Sequence, residues 1–119
     1  MEVVVIEFDG QIGDFPSLVQ TLENLIRGGT RHVVLSLASL PFINSTALGY
    51  LLAVNRRVEP DGGEIVLTGL QPALRKILSM TNLDVVFPTF DTVEEGIAFV
   101  RSDGGPEAAE RPVRRHAWR

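Results

Sequence analysis

An α/β domain with a mixed, mostly parallel sheet and about four helices is the fold class that this sequence predicts. Three observations predict it. Apolar, β-branched runs of strand length alternate along the chain with apolar stripes at helical spacing. Each change of period is marked by Gly, Pro, Asn or Asp. The chain of 119 residues, 45% of them hydrophobic, suits one domain around a single core.

The elements follow in order. Val3-Val4-Val5-Ile6 with Phe8 is a β-branched run between turn residues, so Met1 to Phe8 predicts a strand. Leu18, Leu22, Leu25 and Ile26 recur at helical spacing, with Pro16 in front and Gly28-Gly29 behind. His32 to Leu37 is an apolar run bounded by turns, a buried strand. Leu48, Leu51, Leu52, Val54 and Val58 mark the next helix, which Pro60-Asp61-Gly62-Gly63 ends. Glu64 to Thr68 predicts a short strand around Ile65-Val66-Leu67. Pro72 suits a helical first turn, and Leu74, Ile77 and Leu78 share a face behind it. Asn82 is placed to close that helix in the left-handed conformation. Val85-Val86-Phe87 predicts a brief strand. Thr92-Val93-Glu94-Glu95 has the pattern of a capping box, followed by Val93, Ile97 and Val100. The stretch 103–119 has no periodicity and much Glu, Ala, Arg and Pro, so a flexible tail is expected after a domain spanning 1–102.

Charge narrows the partners. The total is −4. The tail carries +1, from Arg111, Arg114, Arg115 and Arg119 against Asp103, Glu107 and Glu110, so the remainder carries −5. An acidic body is a poor match for nucleic acid, which needs a basic face. No apolar run approaches the roughly 20 residues of a membrane span, so no membrane insertion is expected. The start lacks the basic region of a signal peptide. There is no cysteine, which excludes disulfides and thiolate chemistry. A cytoplasmic location is the expectation.

The informative stretch is Pro41-Phe42-Ile43-Asn44-Ser45-Thr46-Ala47-Leu48-Gly49. It joins a predicted strand to a predicted helix, so two adjacent hydroxyls meet the free amides of a first helical turn. Ser45 and Thr46 suit a plain N-cap there. The same amides and the helix dipole favour an anion, so a phosphate on the hydroxyl is the functional alternative.

Enzymatic chemistry finds little support. The hydrolase elbow has glycine two residues either side of its serine, and here Ile43 and Ala47 stand in those places. A triad needs a histidine, and only His32, at the head of a strand, and His116, in the tail, exist. Gly28-Gly29 and Gly62-Gly63 are not followed by the Lys-Ser or Lys-Thr of a phosphate loop. Glu94-Glu95 is half explained by the capping box, so no metal or other cofactor is implied. Arg56-Arg57 and Arg75-Lys76 read as solvated faces or, with their helices side by side, as a docking rim.

Taken together, these residues resemble the STAS domain, and within it the anti-sigma-factor antagonists of bacteria. That family reads as an apolar strand, then Phe-x-Asp-Ser-Ser/Thr-Gly-Leu-Gly, then an amphipathic helix. Here the centre is Phe42-Ile43-Asn44-Ser45-Thr46-Ala47-Leu48-Gly49, and the likeness extends through Gly62-Gly63-Glu64, Pro72-Ala73-Leu74 and Met80-Thr81-Asn82-Leu83. It covers roughly Met1 to Val100. The resemblance implies a non-enzymatic transcription regulator whose partner is an anti-sigma factor of serine-kinase type. It places the phosphoacceptor at Ser45, with Thr46 as a secondary acceptor, and partner contacts at Asn44, Ala47 and Leu48. Asn44 replaces the family's aspartate and removes a charge beside the acceptor. Ala47 replaces its glycine and adds a methyl group. A non-phosphorylated scaffold or subunit of a lipid-transport or signalling complex is the rival, and a nucleotide-binding module a third class. Val3 to Phe8 resembles the family's second strand, which leaves an open sheet edge that a homodimer would cover.

Overall fold

The computed structural model describes residues 2–102 and 105–118. Among the described residues, five strands form one sheet: β1 (Val3–Glu7), β2 (His32–Ser36), β3 (Glu64–Thr68), β4 (Thr89–Phe90) and β5 (Val113–Arg115). Four helices connect them: α1 (Phe15–Arg27), α2 (Ser45–Val58), α3 (Pro72–Met80) and α4 (Val93–Ser102). The order across the sheet is β4-β3-β2-β1-β5, and all four pairings are parallel. The α/β class and the four helices are as the sequence predicts.

The strand order dictates the layers. From β1 to β4 the chain steps always toward the same edge. Right-handed crossovers in one direction put their helices on one face. Accordingly α1, α2 and α3 bury Leu22, Leu51 and Leu74 against Val4, Ile6, Val33, Leu35, Ile65 and Leu67. From β4 the chain then travels back across the whole sheet to β5, and α4 lies on the other face. There Val100 and Ile97 meet Val3, Val5, Val34 and Val66. Strands covered on both sides explain why β1 reads as an unbroken apolar run. Val3, Val4 and Ile6 are fully buried, and burying a side chain of this kind is worth roughly 1.5–3 kcal/mol.

Gly96 lets α4 sit this close. A Cβ at that position would stand 3.0 Å from both Thr68 Cγ2 and Val34 Cγ1. The capping box of α4 forms as expected: the Glu95 amide donates to Thr92 Oγ1 at 3.1 Å and the Thr92 amide to Glu95 Oε1 at 3.2 Å. Asn82 takes φ 59°, closing α3 in the predicted left-handed conformation.

Two expectations differ from the structure. Val85-Val86-Phe87 is a turn, and the strand lies further on at Thr89–Phe90. Local bonds from the Val86 and Phe87 amides to the Leu83 carbonyl, at 3.1 and 2.9 Å, satisfy this backbone in place of a ladder. Phe87 is buried as its anchor, while Val85 is 82% exposed.

The stretch expected as a flexible tail is built into the fold, apart from Asp103, Gly104 and Arg119, which lie outside the described residues. Ala108 is fully buried, β5 pairs with β1, and Trp118 is 6% exposed in the main core. Helical or alternating periodicity is absent there because a three-residue edge strand and one anchoring aromatic need none. The edge of β1 expected to be open is therefore covered by β5.

Candidate functional site

The site lies where β2 hands over to α2. After Ser36 the chain is held at three apolar points, Leu37, Leu40 and Ile43, all buried. The Leu37 amide donates to the Thr68 carbonyl at 3.1 Å. Ser39 Oγ donates to the carbonyls of Phe8 at 2.8 Å and Gly10 at 3.1 Å, and Gln71 Nε2 to the carbonyl of Ala38 at 2.8 Å. These bonds tie together the loops that follow β1, β2 and β3. Between its anchors this loop turns Phe42 outward, 48% exposed.

The first turn of α2 is organised by Asn44. Its backbone is extended, φ −97° and ψ 171°, and its side-chain Oδ1 accepts the Ala47 amide at 2.8 Å. The N-cap is thus Asn44, and neither Ser45 nor Thr46 serves as one. Ser45 is the first helical residue, one position past the cap, and the capping bond is made by the Asn44 side chain. Ser45 and Thr46 are both exposed, and among the described residues their hydroxyls have no hydrogen-bond partner. Their amides have no partner within the helix. An anion on Ser45 would meet these donors and the positive end of a 14-residue helix.

The expected contact residues divide by exposure. Asn44 is exposed, Leu48 is partly buried against the core, and Ala47 is 3% exposed. The Ala47 methyl group therefore packs inward. Ala47 belongs to the wall of a shallow cleft of about 170 Å³ that also includes Ile12, Phe15, Pro16, Asn44, Thr46 and Tyr50. Tyr50, 41% exposed, shares this cleft with Thr46, and Phe42 on the preceding loop is the other exposed aromatic near the helix start in sequence. Sequence reasoning missed Tyr50 and the wall from Ile12 to Pro16. The available signal for Tyr50 was an aromatic residue off the buried stripe Ala47, Leu51, Val54, Val58. The wall carries no such local signal, because only the tertiary fold brings it to α2.

Neither histidine joins this site. His32 is buried, with Nδ1 2.6 Å from Glu64 Oε2, where β2 and β3 begin. His116 lies beside Arg114 on the sheet edge. Arg75 pairs with Asp91 at 2.8 Å. Among the described residues, no three His, Cys, Asp or Glu are grouped to hold a metal, and no helix is long and apolar enough to cross a membrane.

Comparison with known proteins gives a consistent family. The profile of the STAS domain matches residues 2–96. The chain is 28% identical over 92 residues to an anti-sigma F factor antagonist of Paenibacillus polymyxa, covering 75% of this chain and 79% of that one. The crystal structure of a putative anti-sigma factor antagonist from Thermotoga maritima superposes with a TM-score of 0.72 at 24% identity, covering 83% of this chain and 87% of the other. The anti-sigma factor antagonist SpoIIAA in its unphosphorylated form gives a TM-score of 0.71 at 24% identity, covering 84% and 89%.

Proposed function

The chain belongs to the STAS domain family, and we propose that it is an anti-sigma-factor antagonist that docks on an anti-sigma factor of serine-kinase type and is switched by phosphorylation of Ser45. It then acts as a bacterial, cytoplasmic transcription regulator and a phosphoprotein, without catalysis of its own. The general role is supported by the antagonist relative, which is similar over most of both chains. The observation that carries the switch is the placement of Ser45. It is exposed, uninvolved in capping, and on the first turn of α2.

The physical logic is a change of charge on a docking face. Phe42, Tyr50 and Leu48 offer an apolar contact, while Asn44 and Thr46 offer polar ones. A phosphate on Ser45 brings about −1.5 to −2 charge onto that face. In the free chain the helix amides and dipole favour it. Buried at an interface, the same group is desolvated without a matched cation. Phosphorylation therefore favours release. Thr46, one residue on, is the secondary acceptor.

The test is mass spectrometry after incubation with a kinase-type anti-sigma factor encoded beside this chain, with ATP. One phosphate on the peptide containing Ser45, lost in Ser45→Ala, supports the switch. No phosphate on wild type, while a known antagonist is modified by its own kinase, moves the reading to the non-phosphorylated scaffold.

A further inference from the structure

Beyond the switch at Ser45, we infer that the outer edge of β1 and the Phe8–Asp9 socket form a strand-acceptor site for an extended basic segment ending in tryptophan, which residues 111–118 fill in cis and a second copy's segment fills when the cis contact is weakened.

The acceptor half is β1. Its residues Val3 to Ile6 are buried on both faces, leaving a regular apolar strand whose outer edge offers backbone donors and acceptors. An edge of that kind is a template for another strand. The occupant half is β5 with its flanks. The register is Val3 to Val113, Val4 to Arg114 and Val5 to Arg115. The Val3 amide donates to the Pro112 carbonyl at 2.7 Å and the His116 amide to the Val5 carbonyl at 2.8 Å. Val113, Arg114 and Arg115 are all exposed, so the backbone bonds and the charges do the holding there. Arg114 pairs with Glu2 at 2.8 Å and Arg115 with Glu7 at 3.2 Å.

Specificity comes from the socket. Trp118 is the one buried residue of the segment 111–118. Its ring meets Phe8 edge-on with centroids 4.9 Å apart, its Nε1 donates to Asp9 Oδ1 at 2.7 Å, and its carbonyl accepts from Thr21 Oγ1. Backbone pairing for affinity, charge complementarity for register and a pocketed aromatic for identity are the features of peptide recognition by strand addition. The acidic partners Glu2, Glu7 and Asp9 all belong to the acceptor, and both arginines to the occupant.

The full-length chain provides the test. Two variants weaken the cis contact in different ways. His116→Pro with Trp118→Ala removes one ladder donor and the anchor. Arg114→Glu with Arg115→Glu reverses two exposed ion pairs and leaves the core untouched, so it serves where the first pair does not fold. The probe is a fluorescent synthetic peptide of residues 110–118, read by anisotropy. Each folded variant is expected to bind it at least about tenfold more tightly than wild type, whose site is filled. The same peptide with Trp118→Ala is expected to lose about tenfold. A folded variant that does not bind the peptide, or that binds the two peptides equally, overturns the inference.

Discussion

The side chain of Asn44 accepts the amide of Ala47 at 2.8 Å, so the residue before Ser45 caps α2 and leaves the Ser45 hydroxyl free of structural duty. Capping thus falls to Asn44, and Ser45 is left for the proposed switch. Asn44→Ala is expected to cost about 1 kcal/mol. Ser45→Ala, at an exposed position, is expected to stay within about 0.5 kcal/mol. Urea unfolding of the two variants checks the division. A larger loss for Ser45→Ala would return the cap to Ser45.

The proposed docking face yields a second prediction. Ser45→Glu is expected to weaken binding to a kinase-type anti-sigma factor more than Ser45→Ala does, because only Glu places charge on the face. Phe42→Ala and Tyr50→Ala are expected to weaken it too, with unfolding midpoints close to wild type since both side chains are exposed. Titration calorimetry against the partner separates these variants.

Restoring the family's residues has effects that differ by position. Asn44→Asp keeps a capping oxygen and adds a charge at the helix start, expected to stabilise by about 0.3–1 kcal/mol. Phosphorylation is also expected to quicken, with aspartate back beside the proposed acceptor. Ala47→Gly loses a buried methyl group and helix propensity, and is expected to destabilise by roughly 1 kcal/mol or more. Kinase assays beside thermal melts distinguish recognition from stability.

Packing of α4 gives a fourth prediction. Gly96→Val would drive side-chain carbons into Val34 and Thr68, where the first added atom already stands 3.0 Å away. Overpacking of this kind typically costs about 1–3 kcal/mol. Denaturant unfolding reads the loss, and α3 on the other face should be unaffected by amide exchange.

Trp118→Ala tests the anchoring of residues 105–118. Truncating a buried tryptophan costs about 3–5 kcal/mol, and its place at the rim of the core puts this one near the lower end. A change below about 1 kcal/mol would mean that the segment is idle, as its composition alone predicts.

Sequence made most of this architecture legible, and the reason is local. β1, β2, β3 and the four helices each carry a period and a stop of their own, so each could be read within a dozen residues. The junction that carries the candidate acceptor was legible too, as an apolar strand handing over to a helix at a hydroxyl pair. What escaped depends on distant partners. Val85 and Val86 are apolar but lie in a turn, because Leu83 and Phe87 take the burial. Ala108 and Trp118 sit in a polar stretch and gain their role only from α4 and Phe8. Tyr50 is visible as an aromatic residue, yet its cleft exists only once Phe15 and Pro16 are brought beside it.

The return of the chain across the whole sheet sets an order of events in time. Asp9 and Trp118, joined through the indole, are 109 positions apart. A ribosome adding about 5–20 residues each second needs on the order of ten seconds between them. Throughout that interval β1 can find β2 and α1, yet its other side stays bare. A nascent chain is therefore most exposed to wrong partners at its first strand, and it loses that exposure only when residues 113–118 emerge.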